Sequence, residues 1–335
     1  MEFKKYSSIE NSYREKFVDR IKELYPNELF LVQEKVHGAN FSVHGNNTNF
    51  EVKFAKRTAF IQQNEKFYDY QLLVRWLDDV MLRLFTNDYD KNNCKTVSIY
   101  GEIYGGNYPG IKTDVSQVQK GVLYSPNIEF IAFDMKVDGK YLSYHEFAGV
   151  MERYNIPYSR PIFYGSLDEC LEYPNTYNSL IPLMHGLEPL KENICEGNVI
   201  RPINSLFLPN KERVILKNKN EKFTEKHKKK PKKSFKPKEH LAAHVVEIIN
   251  EADVYVTENR LNNVLSKIGD ITIKDYGKVL GAFSKDITDD FYKENPELIS
   301  KIENNSQKKT VGQAINKKAS RLLSKKWKSE ILAKL

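Results

Sequence analysis

The sequence predicts an α+β protein in two parts, a strand-rich N-terminal region with inserted helices followed by a small all-helical domain. Three observations lead there. Short alternating apolar runs bounded by turn residues recur from about residue 28 to 219. The stretch 226–239 is dense in lysine and broken by Pro231 and Pro237, which rule out a regular helix or a central strand. Beyond it the apolar spacing changes from two to three and four. The expected division is 1–225, a lysine-rich linker or ordered basic loop at 226–239, and a helical domain at 240–335. With 335 residues, 40% hydrophobic, the chain can bury more than one core and is too apolar for a disordered protein.

The elements follow in order. Phe41-Ser42-Val43-His44 and Phe50-Glu51-Val52-Lys53-Phe54 alternate on either side of Gly45-Asn46-Asn47, the pattern of a hairpin. Residues 97–104 and 128–137 read as further strands, the second turning at Asp138-Gly139 into Tyr141-Leu142. Ser143 and Glu146 have capping-box spacing, so a helix should open there and run towards Tyr154. Residues 198–201 and 213–217 close the strand-rich region. In the tail, Leu241, Val245, Ile248 and Ile249 share one helix face. Leu261, Val264, Leu265 and Ile268 share another, which Gly269 should stop. Residues 273–293 and 308–334 continue in that style.

The net charge of +8 is concentrated: residues 217–238 hold eleven lysines against two glutamates, and the rest of the chain is near neutral. Such a segment suits a polyanion, whose counterions it would release, and equally suits a solvated linker. Cys94, Cys170 and Cys195 are odd in number and scattered, a poor basis for disulfides or a thiolate metal site. The start, Met1-Glu2-Phe3-Lys4-Lys5, lacks the apolar core of a signal peptide, and no run is long enough to span a bilayer. A reducing, cytoplasmic setting, no membrane partner and a monomer are the expectations.

The sharpest chemical signal is Glu34-Lys35-Val36-His37-Gly38-Ala39-Asn40, directly after the apolar run Leu29-Phe30-Leu31-Val32. A lysine leaving a buried strand is placed as a nucleophile, because desolvation and neighbouring positive charge favour its neutral amine. Gly38 is expected to let the backbone approach a nucleotide closely. Alone, a Lys-x-x-Gly match is more often a surface lysine at a strand end. Here it is followed, in order, by Ala55-Lys56-Arg57-Thr58, Tyr100-Gly101-Glu102-Ile103-Tyr104-Gly105 and Phe130-Ile131-Ala132-Phe133-Asp134. Then come Glu196-Gly197-Asn198-Val199-Ile200-Arg201-Pro202 and Arg213-Val214-Ile215-Leu216-Lys217-Asn218-Lys219. This ordered series resembles the nucleotidyltransferase motifs of polynucleotide ligases and RNA capping enzymes. It is most similar to the RNA ligase 2 family of phage double-strand RNA ligases and kinetoplastid editing ligases, with His37 where DNA ligases and capping enzymes usually show Asp. Residues 255–264 and 266–269 resemble the helical tail of the phage enzyme.

The resemblance implies an N-terminal nucleotidyltransferase domain of ATP-grasp-like antiparallel sheets with flanking helices. It implies an ATP-dependent RNA ligase acting through lysyl-AMP and adenylylated RNA, with Mg²⁺ or Mn²⁺ and an RNA partner, a nicked duplex in particular. Lys35 would carry the AMP. His37, Lys217 and Lys219 would complete the catalytic set. Glu34, Val36, Asn40, Arg57, Glu102, Phe133 and Val199 would bind the nucleotide alongside Lys35, Lys217 and Lys219, with Phe133 stacked on the base. Asp134 and Glu196, hard oxygen donors, would serve the metal. Arg57 would also meet RNA, together with Arg260, Asp286 and Asp290 of the tail. Departures are small: Ala39 stands where Thr is common, and Arg201 where Lys is common.

Blander readings accompany these roles. Phe133 could be ordinary core, Glu102 an exposed strand residue, His37 a structural histidine, and Lys217 and Lys219 the start of the basic run. Two rival functions stand beside the ligase. A DNA ligase or capping guanylyltransferase would continue into a strand-rich oligonucleotide-binding barrel, whereas this chain continues into helices. A non-enzymatic RNA-binding protein would explain the lysine run and none of the ordered motifs.

Overall fold

The computed structural model describes residues 1–90, 94–226 and 241–327, so the lysine-rich stretch lies, apart from Lys226, outside the described residues. The chain forms two compact units, Met1–Lys222 and Phe223–Leu335. The division falls three residues before the expected 225/226 boundary, because Thr224 and Glu225 are held by the helical unit. Asn259 Nδ2 donates to Thr224 O at 2.9 Å, and Thr257 Oγ1 donates to Glu225 O at 3.2 Å.

In chain order the first unit contains β1 (Glu10–Asn11), α1 (Glu15–Leu24), β2 (Phe30–Glu34), β3 (Ala39–Asn46), β4 (Glu51–Lys56) and β5 (Ala59–Phe60). Next come α2 (Gln71–Asn87), β6 (Thr96–Gly105), β7 (Ile128–Val137), β8 (Lys140–Tyr141) and α3 (Tyr144–Arg153). Then follow β9 (Pro161–Gly165), α4 (Leu167–Glu172), α5 (Ile181–Met184), β10 (Gly197–Pro202) and β11 (Leu216–Lys219). The strands make two sheets, ordered β1-β11-β10-β2-β9 and β5-β4-β3-β6-β7-β8. Every pairing between these strands is antiparallel except β1 with β11. This is the α+β class and sheet type that the resemblance implied.

The expected hairpin forms with register Asn46↔Glu51, and Asp138 and Gly139 turn β7 into β8 with φ of 47° and 80°. The Ser143 box is complete: Ser143 Oγ accepts from Glu146 N, and Glu146 Oε2 accepts from Ser143 N at 2.8 Å. Helix α2 had no such start signal, since Tyr70 at its N-cap offers no side-chain acceptor. Its stripe of Leu73, Leu77, Val80, Met81 and Leu84 packs with Phe41, Val43, Ile99 and Ile103 in the core of the larger sheet. The smaller sheet buries Phe30, Val32, Ile200 and Leu216 against Phe17, Val18 and Ile21 of α1. The final strand begins at Leu216 rather than 213, because Val214 N donates to Leu206 O and Arg213 bridges to Phe207 in a separate short pairing.

The second unit contains α6 (Ala243–Ala252), α7 (Glu258–Ile268), α8 (Tyr276–Glu294), α9 (Pro296–Ile299) and α10 (Asn305–Lys326). Its core joins Val245, Ile248, Leu261, Val264, Phe283, Ile287, Val311 and Ile315, so the helix faces read from the sequence are the buried ones. Gly269 stops α7 at a φ of 89°. No described helix is long and apolar enough to cross a membrane.

Candidate active site

Strand β2 delivers Lys35 and β10 delivers Glu196. The two strands pair with register Asn198↔Glu34, and Lys35 N donates to Gly197 O at 2.8 Å, so the ladder carries both residues to the same end of the sheet. There Lys35 Nζ donates to Glu196 Oε2 at 2.7 Å, and His37 Nδ1 lies 3.2 Å from the same oxygen. Strand β11 brings Lys219 Nζ to Glu196 Oε1, also at 2.7 Å. Glu196 is 1% exposed. Burial alone would raise its pKa, but Lys219, Lys35 and His37 outweigh burial and hold it well below the usual carboxylate range. A buried, ionised carboxylate thus carries two ammonium groups at one mouth of the sheet.

The larger sheet supplies the other wall. Asn40 on β3 pairs across from Glu102 on β6. Burial, with Lys35 and Arg57 opposing it and Glu196 reinforcing it, pushes the Glu102 carboxyl up to about 8. At neutral pH Glu102 can therefore donate as well as accept. Gly38 packs directly on β6, where a Cβ would collide with Ile103 O and lie 2.9 Å from Glu102 Cγ. Its lack of a side chain serves this strand contact. Tyr124 Oη accepts from His37 N at 2.9 Å and fixes the turn between the sheets.

Several predicted residues stand otherwise than expected. The Glu34 side chain is turned away from the Lys35 cluster: Ser179 Oγ donates to it at 2.6 Å and Leu180 N at 2.8 Å. Val36 is buried, whereas Val199, Lys217 and Arg57 are half-buried, with Val199 opposite Lys217 across β10 and β11. Phe133 is also half-buried, its ring edge-on to Tyr6 at 5.0 Å between centroids. Asp134, expected as a metal ligand, is corrected to an internal clamp. It is 0% exposed, Arg213 Nη1 and Tyr6 Oη donate to its Oδ2, and Arg201 Nη2 lies 3.4 Å from its Oδ1. Two guanidinium groups hold it below the usual range against burial and leave no oxygen open to a cation.

Of Arg260, Asp286 and Asp290, expected to meet RNA, Arg260 is turned inward and the two carboxylates that hold it are half-buried. Arg260 is 2% exposed, with Nη1 at 2.7 Å from Asp286 Oδ2 and 2.6 Å from Asp290 Oδ2. A buried cation paired in this way joins α7 to α8 and is unavailable to a phosphate. The sequence reading missed Tyr6, Tyr124 and Ser179, which lie in unpatterned stretches, and gave Arg213 no role although it stood inside a quoted motif. Only the motif position of Arg213 could have drawn attention to it.

The RNA ligase family model matches residues 28–219, and the model described as T4 RNA ligase 2 C-terminal matches residues 239–321. RNA-editing ligase 1, mitochondrial, of Trypanosoma brucei brucei is 30% identical over 227 residues, covering 55% of this chain and 48% of that protein. RNA-editing ligase 2, mitochondrial, of the same organism is 28% identical over 229 residues, covering 59% and 55% respectively. The chain thus spans about half the length of the curated relatives it matches. Among solved structures, the Naegleria gruberi RNA ligase with PPi gives a TM-score of 0.46 at 15% identity, covering 66% of this chain and 57% of that one. A mutant of that ligase with ATP and Mn gives a TM-score of 0.46 at 13% identity, with the same coverage. The segment that carries Lys35, His37, Glu102, Glu196 and Lys219 is the matched one, and it makes up more than half of the chain: this protein belongs to the RNA ligase family.

Proposed function

We propose that this protein is an ATP-dependent RNA ligase that seals 3′-OH and 5′-phosphate ends, with a nick in duplex RNA as the substrate. The observation that carries the reading is the placement of Lys35 and Lys219 on the two oxygens of one buried carboxylate, Glu196. In the first step Lys35 Nζ, having given up a proton, attacks the α-phosphorus of ATP. The N–P bond forms, the bond to the β-phosphate breaks, and pyrophosphate leaves with the electron pair. Next, a 5′-phosphate oxygen of RNA attacks the same phosphorus, the P–N bond breaks, and Lys35 regains a proton. Finally the 3′-OH loses its proton and attacks the activated 5′-phosphate, forming the phosphodiester and releasing AMP.

Each step is an in-line displacement, so positioning and charge do most of the work. Lys219, and Lys217 on the same face of β11, face the charge that builds on phosphate oxygens. Glu102 and Asn40 suit the ribose hydroxyls, Phe133 suits the base, and Arg57 suits a phosphate. Of the two carboxylates proposed for a divalent cation, Glu196 fits because its partners are half-buried lysines that can turn aside, and Asp134, held by two buried arginines, does not. Mg²⁺ or Mn²⁺, when bound, supplies charge neutralisation at the phosphates.

The test is to incubate the protein with α-labelled ATP and Mg²⁺ and look for label on the chain. Lys35→Ala should reduce labelling to background while still sealing a pre-adenylylated 5′ end, which skips the first step. Full labelling of that variant would remove Lys35 from the reaction. Comparison of nicked duplex with single-stranded RNA then tests the substrate.

A further inference from the structure

With Arg260 turned inward, α10 stands out among the described helices of the helical unit as a cationic surface without a carboxylate. The other helices of that unit each carry at least one carboxylate, but α10 carries none against seven cations: Lys308, Lys309, Lys317, Lys318, Arg321, Lys325 and Lys326. Its apolar side, Val311, Ile315, Ala319 and Leu323, is buried in the core. On the opposite side Lys309, Gln313, Lys317, Arg321 and Lys325 recur every fourth residue, and all five are exposed. At helical rise this is a row about 24 Å long. Two of the remaining cations are used internally, Lys318 in a pair with Asp253 and Lys326 in a bond to Asn262 Oδ1.

Like charges four residues apart repel one another on a helix surface, so the spacing of the row does not by itself stabilise α10. Burial, together with the Arg321 charge, lowers the Lys318 pKa, so mutual repulsion reaches the neighbouring side chain. An anionic bilayer is the poorer partner. A helix that lies in a membrane surface needs an exposed apolar face, and the apolar face of α10 is already committed to the core.

We propose that the row Lys309–Lys317–Arg321–Lys325 docks the phosphate backbone of the RNA substrate, which extends the proposed ligase function to a surface outside the adenylylation site. The row contacts phosphates without reading sequence, fixing the register of the RNA rather than its identity.

The experiment measures binding of the full chain to a nicked RNA duplex as a function of salt. It compares wild type, the combined Lys309→Gln, Lys317→Gln, Arg321→Gln and Lys325→Gln variant, and a control with Lys278→Gln, Lys285→Gln, Lys293→Gln and Lys301→Gln. The control removes the same charge from exposed positions of the same unit. Each lost phosphate contact removes roughly 0.7–0.9 from the log–log slope, so the row variant should flatten it by roughly 3. The control should change it by less than roughly 1. Lys35 labelling by ATP should be unchanged in both.

Equal flattening by the two variants would mean that net charge alone matters and would overturn the proposal, as would no flattening by either. An unchanged RNA slope combined with lost binding to vesicles containing anionic phospholipid would overturn it in favour of a membrane surface. Should the fourfold variant fail to fold, Lys317→Gln with Arg321→Gln should flatten the slope by roughly half as much. The slopes decide the row independently of the function: a wild-type chain that binds RNA but takes no label from ATP refutes the ligase reading alone.

Discussion

At the scale of single residues, the first unit places ionised carboxylates out of water and surrounds them with cations. Glu196 and Asp134 are two such cases, and they differ in what the cations can do. Around Asp134 the partners are Arg201 and Arg213, fixed guanidinium groups that are themselves buried, so the arrangement is a clamp. Around Glu196 the partners are Lys35 and Lys219, half-buried ammonium groups on flexible stems that can turn from the carboxylate to a phosphate. Glu34 is a third buried carboxyl with no cation, and burial pushes it up to about 7 even though Ser179 and Leu180 donate to it. Its value in the fold lies above the ordinary value of 4.5, so its contribution to stability is full below about pH 4.5 and is lost as pH rises through about 7. Glu34→Gln should remove that dependence. Denaturant titrations from pH 5 to 7.5 should show the variant gaining on wild type by up to about 1.4 kcal/mol per pH unit. A constant difference across that range would mean that Glu34 does not titrate there.

At the scale of elements, the site depends on two strands of different sheets lying close together across a short turn. Residues 35–38 leave β2 and enter β3, and Gly38 lets the turn rest on the backbone of β6. Gly38→Ala must displace either that turn or Glu102. It should cost about 1–3 kcal/mol in chemical denaturation, as overpacking does. It should also slow labelling of Lys35, because Lys35 and Glu102 would no longer keep their separation. Wild-type stability with wild-type labelling would show that the turn can relax freely. The hairpins and the Ser143 helix were readable because their signals are local, a turn pair or a cap. Helix α2 lacks a side-chain cap at its start, and its only local signal is the helical spacing of Leu73, Leu77, Val80, Met81 and Leu84.

At the scale of the molecule, the four residues that form the cluster, Lys35, His37, Glu196 and Lys219, all lie in Met1–Lys222. A fragment ending at residue 222, if folded by circular dichroism, should therefore still take label from ATP on Lys35 and seal a nick poorly. A folded fragment that takes no label would mean that the helical unit contributes to nucleotide binding. By itself the sequence determined the α+β class, the helical tail with its buried faces, and the ordered motifs in which Lys35, His37, Glu102, Glu196 and Lys219 stand. Those features are written in local periodicity and in ordered motifs, which survive without knowledge of long-range packing. The tertiary structure decided which charged groups face a ligand and which face one another. Asp134 and Arg260 look like functional residues in the chain and are internal clamps in the fold. Tyr6 carries no signal in the chain and packs against Phe133. The reason is physical: the environment of a charge depends on desolvation and on partners dozens to hundreds of residues away, and neither is encoded in the spacing around the residue itself.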